Sequence, residues 1–117
     1  MNIPKPNKGE VYVGSIINKA GTSHHIYLLP GDKDDGTWQD AMDWAKELGG
    51  DLPTRVEQAL LFQQSKDEFK EDWYWSNTTH ASNSEYAWCQ NFTDGDQNYY
   101  DKYGSRMRAR AVRRVAI

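Results

Sequence analysis

Between Glu71 and Trp73 the periodicity of this chain changes, and that change limits what it can fold into. Upstream, Trp38, Ala41, Met42, Ala45 and Leu48 recur every three or four residues, the spacing that lines one face of an α-helix. Downstream, the aromatic runs Trp73-Tyr74-Trp75 and Tyr86 to Phe92 alternate, the period of a β-strand, with polar loops between them. The second run places Tyr86, Trp88, Gln90 and Phe92 on one face and Ala87, Cys89 and Asn91 on the other. A chain of 117 residues has room for one core, so helices and strands must share it.

The helices carry start and stop signals. Thr37 can cap the first, with Asp40 in the first turn where the helix dipole favours a carboxylate, and Gly49-Gly50 ends it. Thr54-Arg55-Val56-Glu57 is a capping box behind Pro53 and opens the second helix. Its expected core face is Val56, Ala59 and Leu60, with Phe62 or Gln63 at the edge, and Ser65 to Glu68 suits one further short turn. Before the helices, Val11 to Ile17 and His25 to Leu29 flank turn formers and predict a hairpin, followed by an acidic loop, Asp32 to Gly36. After them, Asp94-Gly95 joins the Tyr86 to Phe92 strand to Gln97–Tyr100. The chain finishes in a strand-like run, Arg106 to Val115, whose Arg106, Arg108 and Arg110 share one side.

Charge is distributed unevenly. Five of the six Arg lie in the last twelve residues, so residues 1 to 105 carry 9 Lys and Arg against 17 Asp and Glu, net −8, while the remainder carries +5. Either the acidic body neutralises this basic strand or the strand is a binding stripe. Arg113 or Arg114 is expected to fasten the last strand to Glu57 of the second helix. An acidic body opposes an approaching polyanion, which argues against nucleic acid as a partner.

Candidate chemistry is sparse. One cysteine, Cys89, excludes an intramolecular disulfide and a multi-cysteine zinc site, and its place in an aromatic strand predicts a buried, inert thiol. His24-His25 is expected to place one ring in solvent and one half-buried, and His80 stands in a polar loop. Asp32 to Gly36 fails the ligand pattern of an EF-hand, and Asp94 to Asn98 lacks a lectin's calcium signature. No cofactor motif and no metal site is predicted, and no enzyme. No window approaches a membrane span, and the start lacks the apolar stretch of a secretory signal, so a cytoplasmic location is expected.

Four ordered motifs, GGDLPTRVEQALL, WYWSNT, YAWCQNFTDGDQN and RARAVRR, resemble the DUF1566 family, related to the C-terminal domain of Legionella collagen-like proteins. That family reads LPT-x-x-E, YWSST, AW with a Gly-containing hairpin, and R-x-V-R; here Asn77 replaces the second Ser of YWSST. The resemblance covers roughly residues 37 to 115. It implies an α+β, C-type-lectin-like fold, two helices flanking a small twisted antiparallel sheet; with the N-terminal hairpin read above, residues 1–117 are expected to form one such domain. It also implies a phage or prophage origin, since small stand-alone members are common there. The oxidase activity of formylglycine-generating relatives needs paired cysteines and is not carried over.

In the motif stretches, Trp73, Trp75 and Trp88 are expected in the core, and Ser76, Asn77 and Thr78 satisfy loop backbone groups. The stretch from Asn77 to Ser105 combines Tyr with small polar residues, the composition of recognition surfaces. The expected function is a non-enzymatic module that binds a host protein, with inhibition of a host or defence factor as its use. The expected contacts are Asn77, His80, Asn98, Tyr99, Tyr100, Tyr103, Arg106 and Arg108. The alternative is a carbohydrate- or receptor-binding module of a virion or surface structure. The sequence leaves the partner and the oligomeric state open.

Overall fold

A computed structural model describes residues 2–117. The elements run β1 (Val11–Ile16), β2 (His24–Leu28), β3 (Lys33–Gly36), α1 (Trp38–Glu47), α2 (Arg55–Ser65), a single helical turn (Lys66–Glu68), β4 (Trp73–His80), β5 (Asn83–Asn91), β6 (Gln97–Asp101), β7 (Met107–Ala109) and β8 (Val112–Ala116). This is an α+β arrangement with two sheets instead of the single one expected. One has the order β1-β2-β8 and the other β3-β7-β4-β5-β6. All pairings are antiparallel except β4 with β7.

Two corrections explain the second sheet. Asp32 to Gly36 is not wholly loop, because Lys33–Gly36 pairs with β7. The C-terminal run is not one strand either: it breaks at Arg110-Ala111 and its halves join different sheets. At the break the buried Arg110 guanidinium donates to the carbonyls of Leu29 and Glu68, and the Ala111 carbonyl accepts from the Leu29 amide. These bonds replace the ladder bonds lost where the chain crosses over.

Both helices start in complete capping boxes, Thr37 with Asp40 and Thr54 with Glu57. Gly49, at φ +82°, turns the chain out of α1. The α1 stripe meets the core through Ala41 and Ala45, with Trp38, Met42 and Trp44 packed alongside, while Leu48 is exposed.

The five-stranded sheet has apolar matter on both faces, and strand alternation divides it. Trp75, Ala87 and Cys89 face α1 with Leu29, Leu52 and Ala109; Tyr74 and Phe92 face α2 with Leu61, Phe69 and Val112. Trp75 is fully buried and its indole N–H donates to the Gly36 carbonyl at 3.0 Å, but Trp73 and Trp88 are only half-buried. Trp73 packs against the edge of the α1-side core, and Trp88 lies mid-strand on the outer part of the opposite face.

The second helix is rotated from expectation: Leu60 and Phe62 pack against the core as half-buried side chains, but Val56 and Ala59 do not. Its buried positions are Glu57, Gln58, Leu61 and Ser65; Val56 is 62% exposed and Ala59 is exposed. The polar face is buried because its charged group, Glu57, and the Gln58 side-chain N–H donors have specific partners. Gln58 donates to the carbonyls of Tyr74 (3.1 Å) and Trp75 (3.2 Å). Glu57 receives both Nε and Nη2 of Arg114 at 2.7 Å, and His24 Nε2 at 2.7 Å. Arg114 also reaches Asp51 at 2.7 Å, so the last strand, α2 and the α1–α2 connection are tied at one point. Of the two arginines proposed to pair with Glu57, Arg114 does so; Arg113 forks onto Glu10.

Candidate functional site

Beyond the end of α2, the β5–β6 hairpin carries aromatic side chains outward on the α2 side of the sheet. Register sets the group: Trp88 lies opposite Tyr99, and Gln90 opposite Gln97. Tyr99 meets Trp88 edge to face at 5.1 Å and 73°, and Tyr86 lies 5.8 Å from Tyr99. His80, at the end of β4, completes the cluster, 4.3 Å from Tyr99 and stacked 5.7 Å from Trp88. Contacts of this kind are worth about 0.5–1.5 kcal/mol each beyond area burial, enough to hold the rings in place.

A ladder of amides braces the cluster from below. Gln90 Nε2 donates to the Gln58 carbonyl at 2.6 Å, and Gln97 Nε2 donates to Gln90 Oε1 (2.8 Å) and to the Arg55 carbonyl (2.9 Å). Arg55 Nε in turn donates to Gln97 Oε1 at 3.0 Å. The guanidinium so held lies 3.4 Å over the Trp88 ring, a cation–π contact worth about 0.5–2 kcal/mol depending on its solvation. A Tyr99 ring 40% exposed thus stands on a support that loses little rotamer entropy when a partner arrives.

Arg55, Gln90 and Gln97 also border a groove of about 810 Å³ between α2 and the β5–β6 turn. Its apolar wall is Val56, Ala59 and Phe62, and its far rim is Asp94, Gly95 and Asp96. Gly95 adopts φ +84°, and a Cβ there would come within 3.0 Å of the Phe62 ring, so glycine serves both the turn and the close approach.

The expected contact residues do not form one surface. His80 and Tyr99 join the cluster just described. Tyr100, one position along, points to the opposite face, where it meets Trp73 edge to face at 5.9 Å and borders a pocket of about 210 Å³ with Arg106 and Arg108. Tyr103, 71% exposed, borders a third hollow beside Trp38 and Lys102. Asn98 is exposed and its side chain caps the Tyr99 amide, while Asn77 is half-buried and donates to Asp51 at 2.9 Å. The neighbours of Asn77 do satisfy backbone groups, Ser76 Oγ donating to the Trp88 carbonyl and Thr78 Oγ1 accepting from the Arg55 amide, whereas Asn77 bonds a carboxylate; all three stand on β4 and not in a loop.

The basic run is paired with the acidic body. Arg108 reaches Asp32 (3.1 Å), Asp34 (3.4 Å) and Asp72 (3.2 Å), and Arg106 reaches Asp35 (3.2 Å). The Asp32 to Asp35 carboxylates are therefore engaged with guanidinium groups, and Asp32 also accepts from the Tyr74 hydroxyl at 2.5 Å. Among the described residues no group of three or more His, Cys, Asp or Glu is placed to hold a metal ion.

The titratable groups singled out from the sequence take structural places. Burial pushes the Cys89 thiol up to about 12, far from a thiolate at neutral pH. Neither His24 nor His25 stands in solvent. β2 is the central strand of its sheet, so His24 meets Glu57 on α2, and His25, 2% exposed, lies 2.7 Å from Ser15 Oγ. Glu57 is desolvated, which alone would raise its carboxyl, yet the Arg114 guanidinium and the Thr54 amide hold it below the usual range.

Sequence reasoning missed Arg55 and the Val56–Ala59–Phe62 wall. One signal for Arg55 was present: it is the single arginine outside the C-terminal run.

No helix is long and apolar enough to cross a membrane among the described residues. A search of curated proteins finds no match. A family model described as the Lcl C-terminal domain matches residues 18–113, and membership in that family suggests a binding-type module. With most of its length matched, and with the ordered motifs occupying the elements around the aromatic cluster, the chain belongs to the Lcl C-terminal domain family.

Proposed function

We propose that this protein is a non-enzymatic recognition module of C-type-lectin-like architecture that binds a protein partner through the His80–Tyr86–Trp88–Tyr99 cluster and the groove beside it. The observation that carries this reading is the bracing of the cluster: Arg55 over Trp88, fixed through Gln97, Gln90 and Gln58. Aromatic rings presented rigidly at the surface supply contact area at low ordering cost, which is what interface hot spots require. A buried Cys89 and histidines engaged in packing support a surface that binds without chemistry. The finer reading is a phage- or prophage-encoded protein acting in the host cytoplasm as an inhibitor of a host or defence factor.

The test is affinity capture from bacterial lysate with the wild type, Tyr99→Ala plus His80→Ala, and Tyr100→Ala. A stoichiometric partner lost with the first variant and kept with Tyr100→Ala is expected, because the two tyrosines face opposite sides of the sheet. Recovery of no partner, or undiminished capture by the first variant, overturns the proposal.

One observation favours a second reading, carbohydrate binding: the Trp73–Tyr100 pair borders a small pocket together with charged hydrogen-bonding groups. Glycan-array binding abolished by Tyr100→Ala and not by Tyr99→Ala would select it.

A further inference from the structure

The groove has two unlike walls, and their chemistry specifies an occupant. On the α2 side, Val56, Ala59 and Phe62 follow one another at three-residue spacing, an apolar stripe about 9 Å long. Val56 and Ala59 are exposed, and Phe62, half-buried against Phe92, ends the stripe with one side of its ring on the core, while Glu57, Gln58, Leu61 and Ser65 take the inward face. Opposite stand Asp94 and Asp96, both exposed; Asp94 Oδ1 accepts from the Asp96 amide, and neither carboxylate enters an ion pair among the described residues. The cation within the groove, Arg55, is committed to the Trp88 ring and Gln97. Lys66 Nζ lies 5.0 Å over the Phe62 ring at the end of the apolar wall and makes no ion pair with either carboxylate. An occupant therefore meets an apolar wall and a rim of two unpaired carboxylates, which disfavours acidic segments and nucleic acid on that side.

We infer that the groove receives a basic amphipathic helix of the partner protein, its apolar side chains against Val56, Ala59 and Phe62 and its Lys or Arg side chains on Asp94 and Asp96. This rests on the protein-binding reading above and adds the partner's chemistry to it. A helix is the form that matches a stripe at helical spacing on α2, because ridges of one helix seat in the grooves of another.

The test uses the full chain, uniformly labelled for amide NMR, titrated with a short Leu/Lys amphipathic helical peptide and its Leu/Glu counterpart. The Leu/Lys peptide is expected to shift amides of residues 55–62 and 90–97, and the Leu/Glu peptide to leave them in place. Asp94→Asn plus Asp96→Asn keeps the turn's oxygen acceptor and should weaken the Leu/Lys peptide about five- to tenfold, the effect of two partly exposed ion pairs. Val56→Ser should weaken it without altering the amide spectrum elsewhere. Asp67→Asn plus Glu68→Gln, acidic positions off the groove, should leave affinity unchanged. Equal binding of both peptides, shifts confined to other surfaces, or equal losses in the two charge variants would each overturn the inference. Loss of the captured partner with Tyr99→Ala plus His80→Ala while the Leu/Lys peptide leaves the groove unmoved would sink this inference alone; retention of the partner by that double variant sinks the reading beneath it.

Discussion

Removing the Arg114 guanidinium, as in Arg114→Met, puts the strongest demand on the packing described above. Glu57 is 1% exposed and would keep its charge with only the Thr54 amide and His24 as partners, while Asp51 and the Leu52 carbonyl each lose a donor. Breaking a buried pair from one side costs about 3–5 kcal/mol, and the surviving partners place this case near the lower end, about 3 kcal/mol. For a chain of this size, with unfolding entropy of about 2.1 cal/mol/K per residue, that corresponds to a Tm lowered by about 12 °C.

Urea unfolding followed by tryptophan fluorescence measures the loss. Glu57→Gln keeps the capping geometry without the charge, so the double variant Glu57→Gln/Arg114→Met should recover more than about 1 kcal/mol of the single variant's cost. The pH dependence has a definite sign. Because the folded carboxyl of Glu57 lies below its unfolded value of 4.5, the pair's contribution is complete above that pH and fades as pH falls through the lowered folded value. The gap between wild type and Arg114→Met should therefore close in acid. A loss under about 1 kcal/mol at neutral pH, or a gap that widens in acid, would refute the account of α2's polar face.

Two further outcomes follow from contacts elsewhere. Gly50→Ala would set a Cβ 2.6 Å from both the Val112 carbonyl oxygen and Leu29 Cδ1, forcing apart the Asp51–Val112 bridge; a cost of about 2 kcal/mol is expected in chemical denaturation, and one below about 0.5 would contradict the tight crossing there. Cys89, buried and shifted up to about 12, should resist a thiol-reactive disulfide reagent in the native protein at about pH 8 and react fully in urea, whereas rapid native labelling would show the strand face to be open.

The sequence announces what local geometry decides. Both capping boxes, the glycine exit from α1 and the division of β5 into a Trp88–Gln90–Phe92 face and an Ala87–Cys89 face follow from hydrogen-bond reach and strand period within a few residues. The second helix shows where such rules end. Apolar spacing turns Val56 and Ala59 inward, but a Glu57 joined to a C-terminal arginine turns them out, since neighbours on a helix lie about 100° apart. The two expectations conflicted, and the ion pair prevailed because Arg114, His24 and two backbone carbonyls for Gln58 satisfy groups that could not otherwise be buried.

The same holds for the surface. That the Asn77 to Ser105 stretch carries Tyr and small polar side chains is plain in the sequence, but Tyr99 and Tyr100 separate onto opposite faces once β6 pairs with β5. Arg55 comes to Trp88 across 33 residues of chain only because Gln58, Gln90 and Gln97 link helix to strand. Spacing along a chain determines which side chains share an element's face. Which faces meet, and so which residues form the aromatic cluster and leave a groove beside it, depends on long-range polar pairings whose energies arise only when distant elements pack.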